Sequence, residues 1–140
     1  MSVDYEIYLD TPTPESLLAD IDFVEESSSE KLIRGTSHDK CLSVVLLKEP
    51  AEDSFTREEL HFEPACQILL SPDIERYDES MDALIDFINR SVPCATKVKI
   101  YLNNELLLLS KNESQTLLFT AGSDWWNDHI EKVNFRYITG

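Results

Sequence analysis

Three histidines and three cysteines are the side chains in this chain most able to bind a metal or attack a substrate. His38, His61 and His129 lie far apart, and no His-x-x-x-His or Cys-x-x-Cys spacing occurs. A metal ion needs convergent ligands, so no metal centre is expected and each histidine reads as a surface or hydrogen-bonded polar residue. A Cys–His nucleophile pair would meet only in space, and nothing local supports one. Cys41, Cys66 and Cys94 are odd in number, widely spaced and close to strand candidates. They read as reduced, mostly buried thiols of a cytosolic protein. The glycines, Gly35, Gly122 and Gly140, stand apart, whereas a phosphate-cradling loop needs them together. No nucleotide and no other cofactor is expected.

Carboxylates are abundant, and their distribution is uneven. The net charge is −15; residues 1–30 carry nine acids and no base, while residues 96–140 carry five of each. On a helix, Asp78, Asp82 and Asp86 fall at four-residue spacing and make one acidic ridge. General acid–base catalysis needs one desolvated carboxylate beside an ionised one, and a fully wet row supplies a solvated face instead. The Asp/Asn/Gly loop with a closing glutamate that holds calcium is missing. A negative field of this size disfavours nucleic acid and anionic membrane surfaces; it suits a basic protein partner, or simply solubility. The contact set this predicts is Asp20, Asp22, Glu25, Glu26, Asp78, Asp82 and Asp86. Trp125 and Trp126 add an anchor: neighbours on a helix point about 100° apart, so one ring can pack inward while the other meets a partner.

These residues need elements to hold them. Tyr77, Met81, Leu84, Ile85, Ile88 and Val92 share one side of a helix, beside a wall of Glu75, Asp78, Asp82, Asp86 and Asn89. Val92-Pro93 should end it. The period then changes to two. Val98, Ile100 and Leu102 alternate with Lys97, Lys99 and Tyr101, Asn103-Asn104 fits a hairpin turn, and Leu106–Leu109 and Gln115–Thr120 read as further strands. Earlier, Val3, Tyr5, Ile7 and Leu9 alternate with Asp4, Glu6 and Tyr8, which predicts a strand with one wet face. Thr13-Pro14 can start a short helix that turns Leu17, Leu18, Ile21 and Val24 inward. Glu25–Glu30 reads as a loop. Strands are expected over residues 31–36, 41–47 and 66–70, a short helix at Trp125–Ile130, and a last strand around Phe135–Ile138.

With 140 residues and 42% apolar content the chain suits one ordinary domain with a real core. No apolar run reaches the roughly 18 residues that cross a bilayer. The opening Met-Ser-Val-Asp-Tyr-Glu has neither the basic nor the apolar region of a signal peptide. The expectation is a single α+β domain over residues 1–140. Its antiparallel-rich β-sheet carries two or three packed helices, in the order β-α-β-β-β-α-β-β-β-α-β, without alternating βαβ units.

Taken together, the opening Asp4-Tyr5-Glu6-Ile7-Tyr8-Leu9-Asp10-Thr11-Pro12, the Phe62-Glu63-Pro64 before a strand, the helix from Glu75 and Tyr77 to Val92, and Asn103-Asn104-Glu105 before a leucine run resemble the small immunity proteins of bacterial polymorphic toxin systems. The likeness is greatest to the Sit-type immunity proteins of the swarming-inhibition systems of myxobacteria. It covers most of the chain, though the acidic first segment and Glu25–Glu30 have no counterpart in the family pattern. The resemblance implies a non-enzymatic cytoplasmic protein that binds and neutralises a cognate toxin, such as a basic, nuclease-like domain. It carries over no binding residue. The alternative from another class is a small enzyme or ligand-binding domain with a site between helices and sheet, where His61 or His129 would meet Cys66 or Asp124. A third is a subunit that uses a sheet edge or the tryptophan pair.

Overall fold

Among the described residues, Tyr5–Leu9 is the middle strand of a nine-stranded sheet, and the other strands are laid out around it. The computed structural model describes residues 4–10, 24–28, 32–37, 41–47, 62, 64–103, 106–119 and 125–139. The strands are β1 (Tyr5–Leu9), β2 (Val24–Ser28), β3 (Leu32–Ser37), β4 (Leu42–Leu47), β5 (Cys66–Pro72), β6 (Val98–Leu102), β7 (Leu106–Lys111), β8 (Thr116–Leu118) and β9 (Ile138–Thr139). The helices are α1 (Tyr77–Cys94), entered through a 3-10 turn at Ile74–Arg76, and the five-residue α2 (Trp125–His129), which runs into a 3-10 turn at Ile130–Lys132. The spatial order is β2-β3-β4-β5-β1-β6-β7-β8-β9. Every neighbouring pair is antiparallel except β8–β9, which is parallel.

The expected architecture therefore needs correcting. Among the described residues one long helix packs on the sheet, not two or three; Trp125–His129 is little more than one turn. The helix predicted after Thr13-Pro14 lies outside the described residues, apart from Val24. That residue belongs to strand β2, where it is exposed rather than turned inward. Glu25–Ser28, predicted as loop, is the rest of β2. An edge strand wet on both sides has no apolar alternation to betray it. Its register on β3 shifts between Glu25 and Ser27, a bulge of the kind that blunts sheet edges. One crossover unit is also present: β5 and β6 both run antiparallel to β1 between them, so β5–α1–β6 is a parallel connection with a strand inserted.

The helix lies on one face of the sheet. Met81, Leu84, Ile85, Ile88 and Val92 are buried as their spacing requires, and Phe87 joins them. They meet Tyr5, Ile7 and Leu9 of β1, Val44 and Leu46 of β4, Ile68 and Leu70 of β5, and Val98 and Ile100 of β6. Each such side chain contributes roughly 1.5–3 kcal/mol by leaving water. The helix runs two residues past Val92, taking Pro93 into its last turn. The carbonyls freed there are met by Lys111, whose Nζ donates to Val92 O at 2.7 Å and Ala95 O at 2.6 Å. At the other end, the Asp73 carboxylate accepts from Glu75 N at 3.0 Å, and the buried Ser80 hydroxyl donates to Cys41 O. Asn103 does adopt a positive φ of 53°, and its Oδ1 accepts from Asp4 N at 2.9 Å.

The opposite face of β1 is not wet. Glu6 is 5% exposed and Tyr8 is fully buried, so all five residues of the strand are interior. Tyr8 and Tyr101 pack edge-to-face at 6.0 Å, with Phe62 and Leu107 against them.

Candidate partner-binding face

The start of α1 presents two exposed apolar side chains beside carboxylates; Val24, Tyr137 and Ile138 are the other exposed large hydrophobics among the described residues. The 3-10 turn and the first helical residue carry Ile74, 59% exposed, and Tyr77, 45% exposed. Tyr77 was expected inside. It stands at the mouth of the helix, where the inward stripe has run past the edge of the sheet core. Glu75 and Asp78 follow them in the chain, and among the described residues neither is in an ion pair.

The rest of the acidic ridge is used internally. Asp82 pairs with Lys132, Asp86 with Arg90 (3.2 Å), and Glu79 with Arg76. Asn89 donates from Nδ2 to Lys132 O at 2.8 Å and accepts from Asn134 N at 3.0 Å. The polar wall of α1 thus serves as a clasp for the chain that follows α2. Ile130, Val133 and Phe135 of that strap pack partly into the core. A pattern of like charges along a helix cannot reveal that a distant lysine will come to one of them.

The two tryptophans differ in depth. Trp126 is 1% exposed and donates from Nε1 to Leu108 O at 2.7 Å. Trp125 is half-buried and donates to the Tyr5 hydroxyl at 2.9 Å, with ring centroids 5.9 Å apart. Burial first of all pushes the Tyr5 hydroxyl up to about 12, against the opposing effect of the Trp125 hydrogen bond. Trp125 also lies 4.5 Å from Trp126 and 4.6 Å from the His129 ring.

Between the start of α1 and the end of α2 opens a cleft of about 330 Å³, lined by Tyr77, Asp78, Met81, Asp128, His129 and Lys132. His129 is held below its usual range, first by burial and then by Lys132, with Asp128 and Asp82 opposing. Its Nδ1 is buried and has no hydrogen-bond partner among the described residues. Cys66 is not its neighbour. It is buried at the far end of β1, paired with Leu9, four residues along the strand from Tyr5, or about 13 Å at ~3.3 Å per residue. His61 and Asp124 lie outside the described residues. Among the described residues no group of three or more His, Cys, Asp or Glu side chains is placed to hold a metal ion.

The remaining predicted contacts do not join this face. Glu25 is exposed on the edge strand β2, four strands from β1, or about 19 Å along the sheet at ~4.8 Å per strand. Glu26 is in β2, with its side chain outside the described residues, as are Asp20 and Asp22 altogether. Of the cysteines, Cys41 and Cys66 are buried, Cys94 is exposed, and all three are free thiols.

A second polar group was missed because it was read as a wet strand face. Asp4, Glu6 and Tyr8 share the non-helix side of β1. Asp4 accepts from the Ser71 hydroxyl at 2.7 Å, and Tyr8 accepts from Gln67 Nε2 at 3.1 Å. Tyr101 lies opposite Glu6, and Lys99 opposite Tyr8. Burial, aided by Asp4, pushes the Glu6 carboxyl up to about 7; burial also lowers Lys99.

Comparison of the chain with protein-family models, with curated proteins and with solved structures found no match. Among the described residues no helix is long and apolar enough to cross a membrane.

Proposed function

We propose that this chain is a non-enzymatic immunity protein of the cytoplasm, which binds a cognate toxin domain of basic surface and blocks it. The observation that carries the reading is the exposed pair Ile74 and Tyr77, each followed in the chain by a carboxylate, Glu75 and Asp78. Exposed apolar side chains rimmed by charge are the usual make-up of a protein-binding patch, with aromatics as its anchors. The unmatched carboxylates beside them favour a cationic partner and speed its approach. The net charge of −15 acts in the same direction at longer range. The likeness of the chain to the Sit-type immunity proteins supplies the kind of partner.

The test is co-expression with the protein encoded next to this one, scored by growth and then by affinity in purified form. The Glu75→Lys, Asp78→Lys double variant should weaken the complex at least tenfold and flatten its dependence on salt. Asp86→Lys, at a carboxylate already paired with Arg90, should do much less. Unchanged affinity in the double variant would refute the assignment of this face.

A further inference from the structure

We propose that the cleft between α1 and α2 is a socket for one arginine side chain of the partner, its guanidinium lying against Tyr77 between Asp78 and Asp128. This rests on the basic-partner reading above and names the chemistry the cleft would take.

The walls argue for a cation. Asp78 and Asp128 both line the opening, and neither carries an ion pair among the described residues. The lysine in the wall, Lys132, is already matched by Asp82, which is not itself a lining residue. His129 is held below its usual range by burial, away from its charged form. An incoming group therefore meets two uncompensated negative charges.

The shape and the apolar walls argue for guanidinium over ammonium. Tyr77 offers a part-exposed ring, and Met81 is a buried thioether 2% exposed. Guanidinium is planar and weakly hydrated, stacks on aromatic faces and can bridge two carboxylates with its fork of donors. Ammonium is a compact ion that keeps its water. A volume of about 330 Å³ sits at the bottom of the range for ligand sites, which suits one long side chain better than a nucleotide or a large cofactor.

The experiment uses the whole isotope-labelled chain and three blocked tripeptides, Gly-Arg-Gly, Gly-Lys-Gly and Gly-citrulline-Gly, followed by NMR at low salt. The arginine peptide should shift the signals of Tyr77, Asp78, Asp128 and the Trp125 indole. It should bind roughly tenfold more tightly than the lysine peptide, and citrulline should not compete. Asp78→Asn with Asp128→Asn should abolish the shifts, and Tyr77→Leu should weaken them several-fold. Glu113→Gln, exposed on the turn between β7 and β8 and outside both the α1 face and the cleft, should leave them intact. Equal response to arginine and lysine, shifts spread along α1, or wild-type binding by the double asparagine variant would overturn the socket. An oligolysine titration separates the two proposals. If it binds the α1 face with strong salt dependence while the arginine peptide shows no preference for the cleft, only the socket falls. If no basic probe binds at all, both fall.

Discussion

Replacing Glu6 with glutamine should stabilise the protein at neutral and alkaline pH, although it removes a charge from the centre of the sheet. Glu6 is 5% exposed, on the middle strand, and its pKa is raised from 4.5 to about 7, first by burial and second by Asp4. Because the folded value lies above the unfolded one, the native state keeps a proton that the unfolded chain has released between about pH 4.5 and pH 7. Stability is therefore withdrawn as pH rises through that window. The deficit is complete above about pH 7, and at ~1.4 kcal/mol per pH unit it amounts to about 3 kcal/mol. Glutamine has nearly the same shape and no charge at any pH. Urea unfolding across the range should show the variant and the parent alike near pH 4.5, with the variant ahead by about 3 kcal/mol at pH 8. That is a midpoint shift of roughly 1.5 M urea at an m-value of about 2 kcal/mol/M. Asp4→Asn should shrink the parent's pH dependence by the smaller, electrostatic part. A difference between Glu6→Gln and the parent that is the same at pH 5 and pH 8, or a variant weaker than the parent at pH 8, would refute the reasoning. It would mean the carboxylate is ionised inside the fold.

Three further outcomes follow from the packing. Trp126→Phe should cost about 1–3 kcal/mol in urea unfolding, through lost volume and a lost donor; Leu108 O still accepts from Phe119 N at 3.1 Å, so its carbonyl is not orphaned. Tyr5→Phe should cost about 1–2 kcal/mol and change tryptophan fluorescence, because the hydroxyl that receives the Trp125 indole is gone. Lys132→Ala should cost less than about 1 kcal/mol, since its pair with Asp82 is exposed on both sides; a loss above about 2 kcal/mol would show that the clasp on α1 governs stability.

What could be read from the residues was the part where one face is dry and the other wet. The helix stripe from Met81 to Val92 and the Asn103 turn carry a local cause, and the β6 alternation marks a strand although Tyr101 on its other face is buried too. The Asn112 carboxamide accepts from Ser114 N at 2.9 Å and Gln115 N at 3.0 Å, as turn chemistry predicts. Two kinds of element were illegible. Strand β2 is too polar to show a period, and β1 hides polar residues under cover that its own alternation cannot report. Glu6 and Tyr8 look solvated in sequence because they are polar; they are buried because β5 and β6 flank them and aromatic side chains lie over that face. The candidate site was half legible. The acidic ridge lies on the expected helix; of the aromatic rings, Trp126 is buried and Trp125 partly so, while Tyr77 and Tyr137 are exposed. Size predicts burial better than it predicts display.

The consequence reaches the meaning of the charge itself. Of the five acids from Glu75 to Asp86, three are held by Arg76, Arg90 and Lys132, and these pairs either brace α1 or fasten the strap after α2 to it. Exposed pairs of this kind add little stability, yet each removes a carboxylate from the field a partner would sense. The acids left over are the ones at the N-terminal end of the helix, Glu75 and Asp78, with Asp128 across the cleft from Asp78. If the proposed partner docks on this side of the molecule, what it senses is less the total of −15 than the few charges the fold has not spent on itself. Those charges stand beside Ile74 and Tyr77, where attraction at a distance and apolar contact on arrival can act on the same partner residue.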